Sequence, residues 1–131
     1  MKIKTSHWQI NEVPTSMIAF VYTITNKLNG LVYIGKKNYY STITKPPLKG
    51  LKRKRKVTKE SNWKVYCSSS KVVQSDINSH GKDNFSFKII NSYDSKVKAT
   101  YAEMELMVKC DVLRKDGFYN GHIGNFYKGK V

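Results

Sequence analysis

The chain has 131 residues, and its 24 lysines and arginines against 9 acidic residues give a formal net charge of +15. That length suits one compact domain with a modest core. The charge points to a polyanionic partner held through counterion release, nucleic acid foremost. The sequence argues against a membrane, since no basic amphipathic helix or long apolar span is present and the first sixteen residues lack the apolar centre of a secretory signal. Cys67 and Cys110 stand far apart, and with His7, His80 and His122 scattered they form no zinc pattern. Reduced thiols fit a cytoplasmic protein.

Residues 1–16 read as an extension carrying one aromatic, Trp8, with Pro14 ahead of the first strand; it is expected along the surface of a single domain spanning 17–131. Residues 20–35 read as a hairpin. Phe20, Tyr22 and Ile24 alternate with Val21, Thr23 and Thr25, Asn29-Gly30 supplies the turn, and Leu31 to Ile34 resumes the strand pattern. Such a hairpin brings Tyr22 and Tyr33 near each other.

After Gly35 the chain turns basic. Eight of the fifteen residues from Lys45 to Lys59 are cationic and none is acidic. Pro46, Pro47 and Gly50 argue against one continuous helix, so the insertion at about 38–62 is predicted as a long loop or a short helix between loops. It reads either as a solvated charge run or as a surface against a phosphate backbone.

Ser68 to Ser70 offer an N-cap for a helix over Lys71–His80, ended by Gly81, and Phe85, Phe87 and Ile89 alternate as a third strand. Ser95 can cap a longer helix from about Lys96 to Arg114. Ala99, Ala102, Leu106, Cys110 and Leu113 form its core stripe, and Tyr101, Val108 and Val112 make it apolar nearly all round, so deep burial is expected. Glu103 and Glu105 are then conspicuous, because a buried carboxylate needs a partner. The plainer reading is an exposed Glu103 and an i,i+4 pair of Glu105 with Lys109. The chain closes through Phe118-Tyr119-Asn120-Gly121 and a basic tail. The fold class is α+β, a small three-stranded antiparallel sheet flanked by helices.

Four segments in order resemble the GIY-YIG nuclease superfamily, in particular its phage-type homing endonucleases. They are Tyr22 with the intact Tyr33-Ile34-Gly35, the Ser-capped helix with its strand, the Glu-bearing helix, and Tyr119-Asn120-Gly121. The first tripeptide departs from the pattern as Phe20-Val21-Tyr22. The resemblance implies a DNA endonuclease that hydrolyses phosphodiester bonds with Mg²⁺ or Mn²⁺. Carried over, it makes Glu105 the metal ligand with Glu103 in reserve, and Tyr22 and Tyr33 catalytic, with Asn120 as hydrogen-bonding support. The family's arginine is missing at its usual offset after the YIG. Arg53 is the candidate for that role, with Arg55 or Lys36 as substitutes. Double-stranded DNA is the implied partner, along Lys36, Lys37, Lys52, Arg53, Lys54, Arg55, Lys56 and Lys71, with a dimer left open. A Lys- and Asn-rich composition suits an AT-rich phage genome. The alternative is a catalytically weak or inactive nucleic-acid-binding protein that uses the same basic segment.

Overall fold

The computed structural model describes residues 6–131; the first five residues of the expected extension lie outside the described residues. A three-stranded antiparallel sheet stands at the centre, in the order β2 (Val32–Asn38), β1 (Ala19–Asn26), β5 (Phe85–Tyr93). Helix α1 (Lys71–His80) and helix α2 (Lys96–Lys109) complete the α+β core. The expected hairpin, third strand and first helix are all present, and Ser70 caps α1 by accepting from the Val73 amide.

The period-two pattern of β1 decides the layers. Phe20, Tyr22 and Ile24 face one way, into a cluster with Trp63, Val73, Ile77, Phe85 and Phe87. Val21 faces the other way, into a second cluster with Ile34, Met107, Val112, Leu113 and Ile123. The sheet therefore separates an aromatic core under α1 from a smaller aliphatic core under α2.

Three expectations are corrected. The N-terminal extension does not lie on the surface throughout: Gln9, Asn11, Glu12, Thr15 and Ser16 are exposed, but Trp8 is 1 % exposed, and its indole N–H donates to the Trp63 carbonyl at 2.6 Å. A large aromatic with a satisfied N–H repays burial well.

The basic insertion is a hairpin of its own, β3 (Tyr40–Lys45) paired with β4 (Arg55–Glu60). The β-branched residues Thr42, Ile43 and Thr44 face Thr58, Val57 and Lys56, while Pro46, Pro47 and Gly50 are confined to the connecting loop. The prolines thus mark the turn of a hairpin.

Helix α2 ends at Lys109, before Arg114, because Asp111 takes a left-handed conformation (φ 54°) just beyond the Cys110 C-cap. It is not buried all round either: Val97, Tyr101, Met104 and Val108 are exposed, and Ala99 and Met107 are its buried residues. The chain then forms a short hairpin of β6 (His122–Ile123) and β7 (Phe126–Tyr127).

Residues 117–120 cover the lower half of the free β2 edge. Val32 N–H donates to the Gly117 carbonyl at 3.0 Å and Tyr119 N–H to the Val32 carbonyl at 2.8 Å. The Asn120 side chain then continues the ladder, accepting from Ile34 N–H at 3.0 Å and donating to the Ile34 carbonyl at 2.8 Å. A primary amide is the side chain that offers a donor and an acceptor together, as a backbone strand does. Asn120→Ala strands both Ile34 groups, and chemical denaturation is expected to show a loss of about 1–3 kcal/mol.

Candidate active site

The register of the β1–β2 hairpin builds the site. Tyr22 lies opposite Gly35 and Tyr33 opposite Ile24, so both tyrosines share one face of the sheet. Their ring centroids are 6.2 Å apart, as the hairpin predicted. The Tyr22 phenol lies directly over Gly35. A Cβ on Gly35 would overlap the Tyr22 hydroxyl and come within 2.9 Å of Tyr33 Cε1. The glycine of Tyr33-Ile34-Gly35 is needed for this close approach.

Two residues that the sequence did not single out complete the aromatic side. Tyr66 stands edge-on to Tyr22, with centroids 6.2 Å apart, and its hydroxyl interacts with that of Tyr22. Lys37 Nζ lies 4.2 Å from the Tyr66 ring centroid, a cation–π contact. Ser69 bonds to Tyr33 and favours its phenolate. Neither Tyr66 nor Ser69 belongs to a strand or helix, so no periodicity marks them; an aromatic and a hydroxyl just ahead of the α1 cap were the only signal.

Both phenols are held in the neutral form. Burial pushes the Tyr22 hydroxyl well above the ordinary phenol range, and the charges of Tyr33, Tyr66 and Glu103 add to the shift. Burial also raises Tyr33, opposed by Ser69 and reinforced by Glu103 and Tyr66.

The two glutamates part company. They sit about 200° apart around α2 at about 100° per residue. Glu103 is half-buried and acts electrostatically on both tyrosines. Its carboxyl is raised by burial, against the opposing pull of Lys36 and His122. Glu105 lies on another side with Tyr93, Val97, Lys98 and Tyr101. It is 53 % exposed and pairs with Lys109 at 3.6 Å. The expected ligand is thus set away from the tyrosines, and the reserve stands beside them.

The remaining expected residues divide similarly. On β2, Lys37 shares the face of the tyrosines and sits over Tyr66, Lys36 faces the other side, where its charge acts on Glu103, and Lys71 opens α1. Arg53 and Arg55, with Lys52, Lys54 and Lys56, lie at the far end of the β3–β4 hairpin, where Arg55 pairs with Lys45. Strands of this length put that end about 17 Å from the hairpin's foot. Asn120 is fully engaged by Ile34 and contacts Met107 Sδ at 3.5 Å, so it serves the fold.

Among the described residues no group of three or more His, Cys, Asp and Glu converges to hold a metal. A hard divalent cation needs no such group when one carboxylate is joined by waters and substrate oxygens. Glu103 fits that demand, being half-buried, acting electrostatically on both phenols and without an ion-pair partner among the described residues.

His7 braces this region from behind. Its Nε2–H donates to the Tyr66 carbonyl at 2.8 Å, its ring stacks on Phe87, and its buried Nδ1 has no partner among the described residues. Burial pushes its pKa down to about 4. The unfolded chain then binds a proton that the folded chain refuses, so stability falls as pH drops from about 6.5 towards 4. Thermal melts across that window are expected to show the decline, and His7→Phe to flatten it.

An antiparallel sheet with a helix on either face and two phenols crossing a YIG glycine is the fold of a GIY-YIG nuclease domain. The family model "Putative endonuclease segE, GIY-YIG domain" matches residues 3–123, and the chain belongs to that family. No curated protein and no solved structure matches it.

Proposed function

We propose that this chain is a divalent-metal-dependent DNA endonuclease whose centre is Tyr22, Tyr33, Lys36 and Glu103. The observation that carries the reading is the half-buried Glu103 carboxylate beside two neutral phenols and a lysine. Family membership implies nuclease chemistry, and the charge of +15 suits a nucleic-acid substrate. Glu103 takes the metal-holding role that the family resemblance implied for Glu105, and Mg²⁺ or Mn²⁺ suits a single carboxylate. When bound, the cation supplies charge stabilisation to the phosphate and the departing 3′ oxygen.

The chain's own groups divide the remaining work. Tyr22 is sealed in the core, so it positions Tyr33 and does not touch substrate. Tyr33 is more open and its hydroxyl is held by Ser69, so it is the phenol placed to orient the attacking water. A phenol that is already protonated takes no proton, so Tyr33 aligns the water and hydroxide supplies the base. Cleavage is therefore expected to keep rising with pH through the ordinary phenol range near 10, and a plateau near neutrality contradicts a protonated Tyr33. Lys36 offsets phosphate charge in place of the family's arginine, because Arg53 and Arg55 are too far along the hairpin.

Among the described residues no helix is long and apolar enough to cross a membrane. The phage, homing-endonuclease-like origin is supported by the resemblance of the four segments and by the Lys- and Asn-rich composition. Supercoiled plasmid incubated with Mg²⁺ or Mn²⁺, or with EDTA, tests the reading. Nicked or linear product with metal alone is expected. Tight binding with intact plasmid under every metal would establish the alternative, a nucleic-acid-binding protein without activity.

A further inference from the structure

The β3–β4 hairpin has no role in the core. It pairs with no other strand, and no residue of β3, β4 or their loop belongs to either core cluster. Its eight cations between Lys45 and Lys59 meet no acid until Glu60. Glu60 is turned back into the body, where Oε1 accepts from the Trp63 indole at 2.9 Å. From Lys45 to Lys59 the hairpin is thus a ribbon of one charge sign, with Glu60 across from Tyr40 at its foot.

Its two faces differ. Ile43 opposite Val57 is half-buried, with Ser41 and Lys59 on one side and Lys45 and Arg55 on the other. The opposite face carries Thr42 across from Thr58 and Thr44 across from Lys56, all exposed. Hydroxyls and an ammonium in such a row are hydrogen-bonding groups without side-chain partners among the described residues. Two strands about 4.8 Å apart with their side chains fit a major groove about 12 Å wide without deforming it.

At the foot of the ribbon lies a polar cavity of 280 Å³ lined by Lys36, Lys37 and Lys96 with Ser41 and Ser61. None of the three lysines is in an ion pair among the described residues. The cavity joins the end of β2 to the foot of the ribbon, since Lys36 and Lys37 of β2 and Ser41 and Thr42 of β3 all line it.

We propose that the β3–β4 hairpin enters the major groove of duplex DNA with its threonine face towards the base edges, while Lys37 and Lys96 hold a backbone phosphate at its foot. The inference rests on the nuclease reading in taking duplex DNA as the substrate. It gives this family member its DNA-reading element inside the catalytic domain. The phosphate at the foot fixes the distance between the bases read and the bond presented to Tyr33.

The test is duplex binding in EDTA, where nothing is cut, followed by fluorescence anisotropy against salt. Methylation of guanine N7, which projects into the major groove, is expected to weaken binding by about tenfold or more, as loss of a good base contact does. Netropsin, which fills the minor groove, is expected not to compete. Replacing residues 42–58 by Asn-Gly joins the paired Ser41 and Lys59 with a two-residue turn and leaves both cores intact. That variant is expected to melt as the wild type does and to lose its sensitivity to N7 methylation. Lys96→Ala is expected to weaken binding equally for all sequences and to reduce the salt slope by about one. Netropsin competition without N7 interference, a shortened variant that binds as the wild type does, or no duplex binding at low salt each overturns the proposal. Failure of the nuclease reading is separate: plasmid stays intact in Mg²⁺ while N7 interference persists in EDTA.

Discussion

Glu103→Gln is expected to lower Mg²⁺-dependent cleavage by about 10³-fold, the scale of removing a principal transition-state charge stabiliser. Glu105→Gln is expected to leave cleavage unchanged. The contrast follows from their placement: Glu103 is half-buried beside the tyrosines, and Glu105 is in an exposed i,i+4 pair with Lys109. Stability separates the two further. Burial raises the Glu103 carboxyl above its ordinary range, so at neutral pH its charged form works against folding. The glutamine variant therefore melts at the same temperature or higher, and lost activity cannot be ascribed to unfolding. Glu105→Gln forfeits an exposed pair worth about 0.3–0.5 kcal/mol. Equal loss in both variants, or loss in Glu105→Gln alone, contradicts this assignment.

Gly35→Ala is the second large effect, and here fold and chemistry fail together. The added methyl falls on the Tyr22 hydroxyl and crowds Tyr33 Cε1 at 2.9 Å. Tyr22 is buried among Trp8, Phe20 and Tyr66 and has little room to retreat. Overpacking of this kind costs about 1–3 kcal/mol. A displacement of about 1 Å in a positioning group costs about 10²-fold in rate. Gly117→Ala is the control, because a methyl there meets nothing within 4 Å. A Gly35→Ala enzyme that cuts normally would show that the phenols need not cross this glycine.

Much of this was legible in the sequence, and the reason is local. The β1–β2 hairpin, α1 with its Ser70 cap, and the β5 alternation each follow from short-range rules of period, cap and turn. Tyr22 and Tyr33 could be paired because a hairpin has one register once its turn is known.

Facing was less legible. Tyr101 and Val108 are apolar yet exposed, so composition made α2 look buried on every side and left Glu103 and Glu105 undecided. Only the orientation of α2 on the sheet separates them, and that is a tertiary property. Trp8 was hidden for the same reason, since its partner Trp63 lies 55 residues away. In the basic insertion, Pro46 and Pro47 outweighed a β-branched pattern only three residues long, and a hairpin was read as a loop. Arg53 followed from the family's need for an arginine; the hairpin carries it away from the phenols.

The most direct test of the account is a crystal of the wild-type protein with an uncleavable duplex and Mn²⁺, read by anomalous scattering. A peak is expected about 2.0–2.4 Å from a Glu103 carboxylate oxygen, the range for hard divalent cations, and beside the phosphate facing Tyr33. A peak at Glu105, or full Mn²⁺ occupancy elsewhere with Glu103 free, would contradict it.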